Sequence, residues 1–315
     1  MNDSDLLDAP VRLTWDIPDN GRGLTGPELL TVARRIADAQ VFYVTLEGTP
    51  LAHAAFKDFS GILKASHCKI FVACRGTSKE LIRLPQVTDL IDQLLLDLSG
   101  YIDSDELDHK SLDKMIGDLR ALDVDPTLSL VPLKQNLKYI PEIISYCASR
   151  LIPCFRLPNA DIGDSFRKYS KVDLPTWEDL LGFRDYWVGQ NQLKQQPKLE
   201  IHDRFIWEIM TPDIEQSRAA YIGCQAANSL GHIDIFGRIH PCAAWPTVLG
   251  SLLQDELFDI WDSPQRLRVR DQIAATPNEC SGCDDWSCCF GGCRGLSISL
   301  HPDGQGRDLM CKGSR

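Results

Sequence analysis

Cysteine is missing from the first 67 residues, and so is any apolar run approaching the roughly 18 residues a membrane span requires. The opening Met1-Asn-Asp-Ser-Asp-Leu-Leu-Asp has neither a basic stretch nor an apolar core, so it predicts no secretory leader and a reducing, cytoplasmic setting. A disulfide framework is not expected in such a compartment. No polybasic cluster offsets the charge balance, 33 Lys plus Arg against 44 Asp plus Glu for a net −11. Such a surface repels phosphate backbones and anionic lipid, which disfavours nucleic-acid and membrane partners. Glycine-rich phosphate loops, paired-histidine zinc motifs and the G-x-S-x-G elbow are all missing, so nucleotide, zinc-hydrolase and serine chemistry have no support.

What is present begins with alternation. With 315 residues there is ample chain for a core without staples. Residues 11–157 alternate short apolar runs with longer amphipathic ones, the sign of repeated βα units on a parallel sheet. Strands are predicted at Val11–Trp15, Val41–Leu46, Lys69–Cys74, Gln93–Ser99, Thr127–Val131 and Leu151–Leu157. Thr25-Gly-Pro-Glu28 opens a helix with an N-cap, an early proline and a capping glutamate, and Leu29, Val32, Ala33, Ile36 and Ala37 form its apolar stripe. Further helices are expected from about Pro50 to Ala65 and from about Thr77 to Pro85. Two more carry the stripes Leu112, Met115, Ile116, Leu119, Leu122 and Leu137, Ile140, Ile143, Ile144, Cys147. Pro158 to Pro212 is less regular, apart from an aromatic-rich helix over Trp177–Leu193. Six units in a row suggest an α/β fold with an open (β/α)6 partial barrel.

Cysteine usage then changes abruptly, with four in the first 223 residues and eight afterwards, which marks a boundary between residues 1–212 and 213–315. The order is Cys224, twelve residues, Gly237, four residues, Cys242, a gap of 37, Cys280-Ser-Gly-Cys283, five residues, Cys289, three residues, Cys293, seventeen residues, Cys311. Thiolates at such short spacings converge on soft metal centres. A single zinc on Cys280, Cys283, Cys289 and Cys293 would leave Cys224, Cys242 and Cys311 unexplained. Cys68, Cys74, Cys147 and Cys154 supply at most pairs and read as small buried hydrophobes.

This cysteine string, with a hairpin turning at Gly237 and a helix expected over Leu249–Trp261, resembles the SPASM domain of radical-SAM peptide-modifying enzymes. The resemblance implies two Fe–S clusters. Cys280, Cys283, Cys289 and Cys311 match the ligands of a fully thiolate-bound outer [4Fe–4S] cluster. Cys224, Cys242 and Cys293 match three ligands of an inner one, which is a [4Fe–4S], a [2Fe–2S] or an incompletely ligated cluster. Positions 212–223 hold no cysteine to complete it, leaving His240, His232, a carboxylate, Cys288 or an open position.

The partial barrel resembles the catalytic barrel of the same family, but the C-x3-C-x2-C loop after the first strand is replaced by Pro18-Asp-Asn-Gly-Arg-Gly-Leu24. The G-G-E-P motif stands as Glu47-Gly48-Thr49-Pro50. The resemblance is thus to a degenerate member, such as the SPASM-domain protein of GeoRSP-type systems, with no S-adenosylmethionine expected. It implies a non-catalytic accessory subunit that partners a complete radical SAM/SPASM maturase and its precursor peptide, by electron transfer, substrate docking or both. The alternatives are an Fe–S enzyme using an open iron on the inner cluster, and a purely structural Fe–S or zinc protein.

Overall fold

The computed structural model describes residues 6–18, 22–103, 106–160, 169–190, 197–211 and 221–313. Its centre is one ten-stranded sheet. Strands β1 (Arg12–Ile17), β2 (Tyr43–Gly48), β3 (Lys69–Cys74) and β4 (Gln93–Asp97) pair in parallel, in chain order. A small separate hairpin, β5 (Ile102–Asp103) and β6 (Glu106–Leu107), follows. The main sheet then continues through β7 (Thr127–Ser129), β8 (Cys154–Leu157) and β9 (Lys198–Ile201). On the other side of β1 lie β10 (Leu230–Ile233), parallel to it, and the antiparallel β11 (Arg238–His240) and β12 (Gly250–Ser251).

The expected strands thus stand where the apolar runs placed them, because central parallel strands are covered on both faces and read as continuous Val, Ile and Leu. Four strands of the sheet lie beyond the six expected. The edge strand β9 is four residues long and half exposed, so it leaves no apolar run to find. Strands β10 to β12 come from the cysteine-rich segment, so the hydrogen-bonded sheet continues past residue 213.

Crossover helices are α1 (Gly26–Asp38), α2 (Phe56–Ala65), α3 (Ser78–Arg83), α4 (His109–Arg120) and α5 (Ile140–Ser149). Both helices opened by a Thr-x-x-Glu sequence begin with a capping box, Thr25 with Glu28 and Thr77 with Glu80. The stripe residues Leu29, Val32, Ala33 and Ile36 of α1 and Leu112, Ile116 and Leu119 of α4 are buried against the sheet. Trp15, Phe59 and Phe155, all fully buried, fill the middle of the core. Cys68, Cys74, Cys147 and Cys154 are buried too, and burial is the main reason their thiols are pushed up to about 11 or 12.

The sheet is strongly curved. Arg156 on β8 reaches Glu47 on β2, Nη1 to Oε1 3.8 Å, although β3, β4 and β7 lie between those strands. Four flat inter-strand steps would separate them by about 19 Å, more than the two side chains span.

Helix α6 (Trp177–Gln190) precedes β9 in the chain and α7 (Arg204–Met210) follows it. Leu180, Phe183 and Trp187 of α6 are buried and Tyr186 is exposed, so its aromatics serve the core first. The expected continuation of α6 to Leu193 lies outside the described residues, as do Asp19, Asn20 and Gly21 of the loop after β1 and the 212/213 boundary.

The helix expected over Leu249–Trp261 is a correction. Gly250 and Ser251 instead pair with β11, and helix α8 is only Leu257–Trp261. A side chain at Gly250 would come within 2.7 Å of Ile260, so the glycine lets the strand pack under the short helix. A second helix, α9 (Pro264–Ala274), follows with Ser263 as N-cap, its side chain accepting from the Arg266 N–H. The segment closes with α10 (Trp286–Cys289) and α11 (Arg294–Leu300).

Candidate metal centre

The cysteine-rich segment starts from the β10–β11 hairpin. Gly237, with φ +76°, sits at its turn as expected. Asp234 organises that turn, accepting from the Phe236 N–H (2.9 Å), the Arg238 N–H (3.0 Å) and Arg238 Nε (2.6 Å). Burial alone would raise this carboxyl, but hydrogen bonds from His240 and Arg238 outweigh it and hold the pKa at about 2. A group held below its unfolded value adds stability above that value, about 3.9 for aspartate, and loses it as pH falls through the folded one. Asp234→Ala is therefore expected to cost about 1.5–3 kcal/mol near neutrality, the scale of hydrogen bonds to a charged group. Urea unfolding at pH 7 and pH 3 checks this, with the gap to the parent protein narrowing at the lower pH.

Beyond the hairpin the cysteines gather into two groups. Cys280 ends the short turn Asn278–Cys280, and Cys283 follows Gly282, whose φ is +72°. Cys289 ends α10. The next three residues, Phe290, Gly291 and Gly292, all have positive φ (52°, 80° and 69°), a left-handed run that reverses the chain and delivers Cys293 to the other group. Two glycines make that run possible. Cys311 returns from the last loop, its Sγ accepting from the Gly313 N–H at 3.4 Å.

Burial first, then the negative charges of Cys311, Cys289 and Cys283, pushes the Cys280 thiol up to about 11. These four lie within electrostatic reach of one another, as the first set. A cavity of about 60 Å³ opens between Cys283, Cys289 and Cys311, walled by Trp177 and Phe205. Cys288 also lines it, with its Sγ 3.8 Å from Ser287 Oγ.

The second set is Cys224, Cys242 and Cys293. Cys293 is pushed well above the usual thiol range by burial and by the nearby charges of Asp308, Cys242 and Cys224. Cys242 lies against the start of α11, where a side chain at Gly295 would come within 2.9 Å of its Sγ. Arg270, buried on α9, fixes the segment around Cys224 by donating from Nη1 to the carbonyls of Cys224 (2.8 Å) and Ala226 (2.9 Å).

Thiols raised in this way stay protonated on their own, and a coordinating metal reverses that by deprotonating them outright. Among the described residues no group of three or more His, Cys, Asp or Glu side chains is arranged around a single metal ion. Sulfurs close enough to shift one another's titration, with a cavity beside Cys283, Cys289 and Cys311 of the first set, suit thiolate ligation of a soft metal group.

The histidines considered for a fourth position in the second set are engaged on the hairpin. His232 Nε2 lies 3.4 Å from Asp16 Oδ2, and His240 Nε2 lies 3.3 Å from Asp234 Oδ2. Two other polar groups meet Cys293. Asn159, just past β8, donates from Nδ2 to Cys293 Sγ at 3.1 Å. The buried carboxyl of Asp308 accepts from the Cys293 N–H at 2.7 Å and from the Met310 N–H at 2.9 Å. Neither was visible in the cysteine pattern. Asp308 stands three residues before Cys311, the only sequence cue to it, and Asn159 has none.

At the other candidate locus, Gly48 has φ +81° and an added side chain would sit 2.4 Å from the Ile17 carbonyl, so the glycine of Glu47-Gly-Thr-Pro50 is required by close strand approach. The Thr49 N–H donates to that same carbonyl at 3.5 Å.

Comparison with known proteins places these features. Residues 224–284 match the SPASM iron–sulfur cluster-binding domain, a span that includes Cys224, Cys242, Cys280 and Cys283. No curated protein matches the chain in sequence. Among solved structures, Streptococcus suis SuiB is 18% identical with a TM-score of 0.68, covering 98% of this chain and 78% of its own. SuiB bound to S-adenosylmethionine gives 17% and 0.70 over the same shares. Native anSMEcpe with bound AdoMet is 12% identical with a TM-score of 0.67, covering 96% and 94%. At these identities the likeness is one of fold, a mixed α/β architecture built on a parallel sheet.

Proposed function

We propose that this protein is a non-catalytic Fe–S accessory subunit, a degenerate radical-SAM-like (β/α)6 partial barrel over residues 1–212 carrying a SPASM domain over 213–315. Its partner would be a complete radical SAM/SPASM maturase acting on a ribosomal precursor peptide. The observation that carries this reading is the convergence of seven cysteines into two neighbouring sets, alongside a strand β1 whose following loop contains no cysteine. Cys280, Cys283, Cys289 and Cys311 would hold the outer cluster, and Cys224, Cys242 and Cys293 the inner one. Such clusters supply one-electron transfer when bound.

The protein's own residues do the rest. Arg270 holds the segment around Cys224, the Phe290–Gly292 turn joins the two sets, and Asn159 and Asp308 fix Cys293. Binding of S-adenosylmethionine belongs to the SuiB and anSMEcpe structures. For this chain we propose none, because Thr49 stands where the family places an acidic residue and Glu47 is paired across the sheet with Arg156. The same resemblance and the acidic surface lead us to propose a cytoplasmic protein without nucleic-acid or membrane partners. Among the described residues no helix is long and apolar enough to cross a membrane.

A second reading, an Fe–S enzyme with an open iron, draws on the second set having three cysteines rather than four. One experiment tests both. Anaerobically purified protein is expected to hold about eight irons, two [4Fe–4S] clusters, and to release no 5′-deoxyadenosine from S-adenosylmethionine with dithionite. Detectable 5′-deoxyadenosine would sink the accessory reading, and turnover of a peptide without any partner would favour the enzyme.

A further inference from the structure

Three arginines of the cysteine-rich segment are buried, and one lacks the partners the others have. Arg266 donates to the carbonyls of Ala227 (2.8 Å), Trp261 (2.7 Å) and Leu7 (2.8 Å). Arg270 holds those of Cys224 and Ala226. Arg294, only 1% exposed, makes one hydrogen bond, from Nη2 to the Gln272 carbonyl at 3.2 Å. Its Nε and Nη1 are buried without an acceptor, and among the described residues no carboxylate pairs with it.

A guanidinium cannot shed its charge, and an isolated buried charge costs several kcal/mol unless a counter-charge meets it. Arg294 follows Cys293 of one set directly in the chain, its Nη1 lies beside Gly291, two residues past Cys289 of the other, and among the described residues the sulfurs of Cys224, Cys280 and Cys293 act on its charge. Those sulfurs supply negative charge only as thiolates, the form a metal group imposes. The guanidinium packs against Gly291, where a Cβ would lie 3.4 Å from Arg294 Cδ and 3.6 Å from Nη1.

We propose that Arg294 is the shared counter-charge of the two cysteine sets, a positioning residue whose buried guanidinium neutralises both thiolate-bound groups and raises both reduction potentials together. A fixed positive charge favours the more negative, reduced form of any group beside it, and does so strongly where water is excluded. One charge acting on both groups shifts their potentials in the same direction. The inference rests on the Fe–S reading above.

The test is a potentiometric titration, followed by electron paramagnetic resonance, of anaerobically purified parent, Arg294→Met and Arg294→Lys proteins, with iron determined in each. Arg294→Met removes the charge and keeps the length. Both of its clusters are expected to become at least tenfold harder to reduce, a fall of about 59 mV for a one-electron couple. Arg294→Lys, which keeps the charge, should titrate close to the parent. An iron-loaded Arg294→Met protein with only one potential shifted, or neither, overturns the proposal. If Arg294→Met fails to load iron, Arg294→Lys decides: loading restored by the charge supports the proposal, and failure of both variants overturns it in favour of a packing role. A parent protein without iron would instead remove the cluster reading itself, so the two failures are told apart.

Discussion

Cys280→Ala and Cys311→Ala are each expected to lose about half the iron of the parent protein, and the double variant no more than either single, because residues that hold one cluster act as a unit. The two positions are 31 residues apart in sequence, so equal and non-additive losses would have no explanation in local structure. The fold brings them together through a specific clamp. The Asn278 N–H donates to Gln305 Oε1 (3.1 Å), the Glu279 N–H to the Gln305 carbonyl (3.2 Å), and the Arg307 N–H to Glu279 Oε2 (3.0 Å). These three bonds lay the loop before Cys311 along the turn that ends in Cys280. The visible charge-transfer absorbance should fall in parallel with the iron. A double variant that loses twice as much would mean that the two cysteines serve different clusters.

That pairing is what the resemblance to the SPASM family implies; spacing by itself says only that thiolate chemistry demands cysteine and that these cysteines can converge on soft metal centres. The strands were open to sequence reasoning directly. β4 is buried at Leu94, Leu95 and Leu96 on both faces, and β3 alternates buried with half-buried positions yet keeps an apolar run from Ile70 to Cys74. Where burial is partial the signal fades: β9 shows no run, and the two residues of β12 sit inside what reads as an amphipathic helix. The surroundings of the metal ligands were harder still. Asn159 meets Cys293 across 134 residues of chain through a single amide. Arg294 looks like any arginine until its burial and its missing acceptors are seen together. Polar partners of this kind are placed by the tertiary fold, and no periodicity in the sequence encodes them.

Those partners converge on the residue whose loss should matter most. Cys293 takes its backbone N–H to Asp308, its sulfur to Asn159, and its position from the left-handed run that begins right after Cys289. It also caps α11, the helix that starts with Arg294. One residue thus ties the second cysteine set to the first, to the end of β8 and to the buried counter-charge. Cys293→Ala is expected to reduce peptide modification by the partner maturase to the level seen without this protein, while Cys280 and Cys283 still hold the outer cluster. Thr49→Ala, in the Glu47-Gly-Thr-Pro50 turn where the proposed function expects no S-adenosylmethionine, should leave the yield almost intact. Both follow from the proposed function, in which the sheet would serve as scaffold and the cysteine-rich segment would serve the partner. The measurement is product yield with parent, Cys293→Ala or Thr49→Ala protein added in trans to the maturase and its peptide. Equal yields from the parent and Cys293→Ala proteins would exclude electron transfer through the inner set and leave docking as the only contribution.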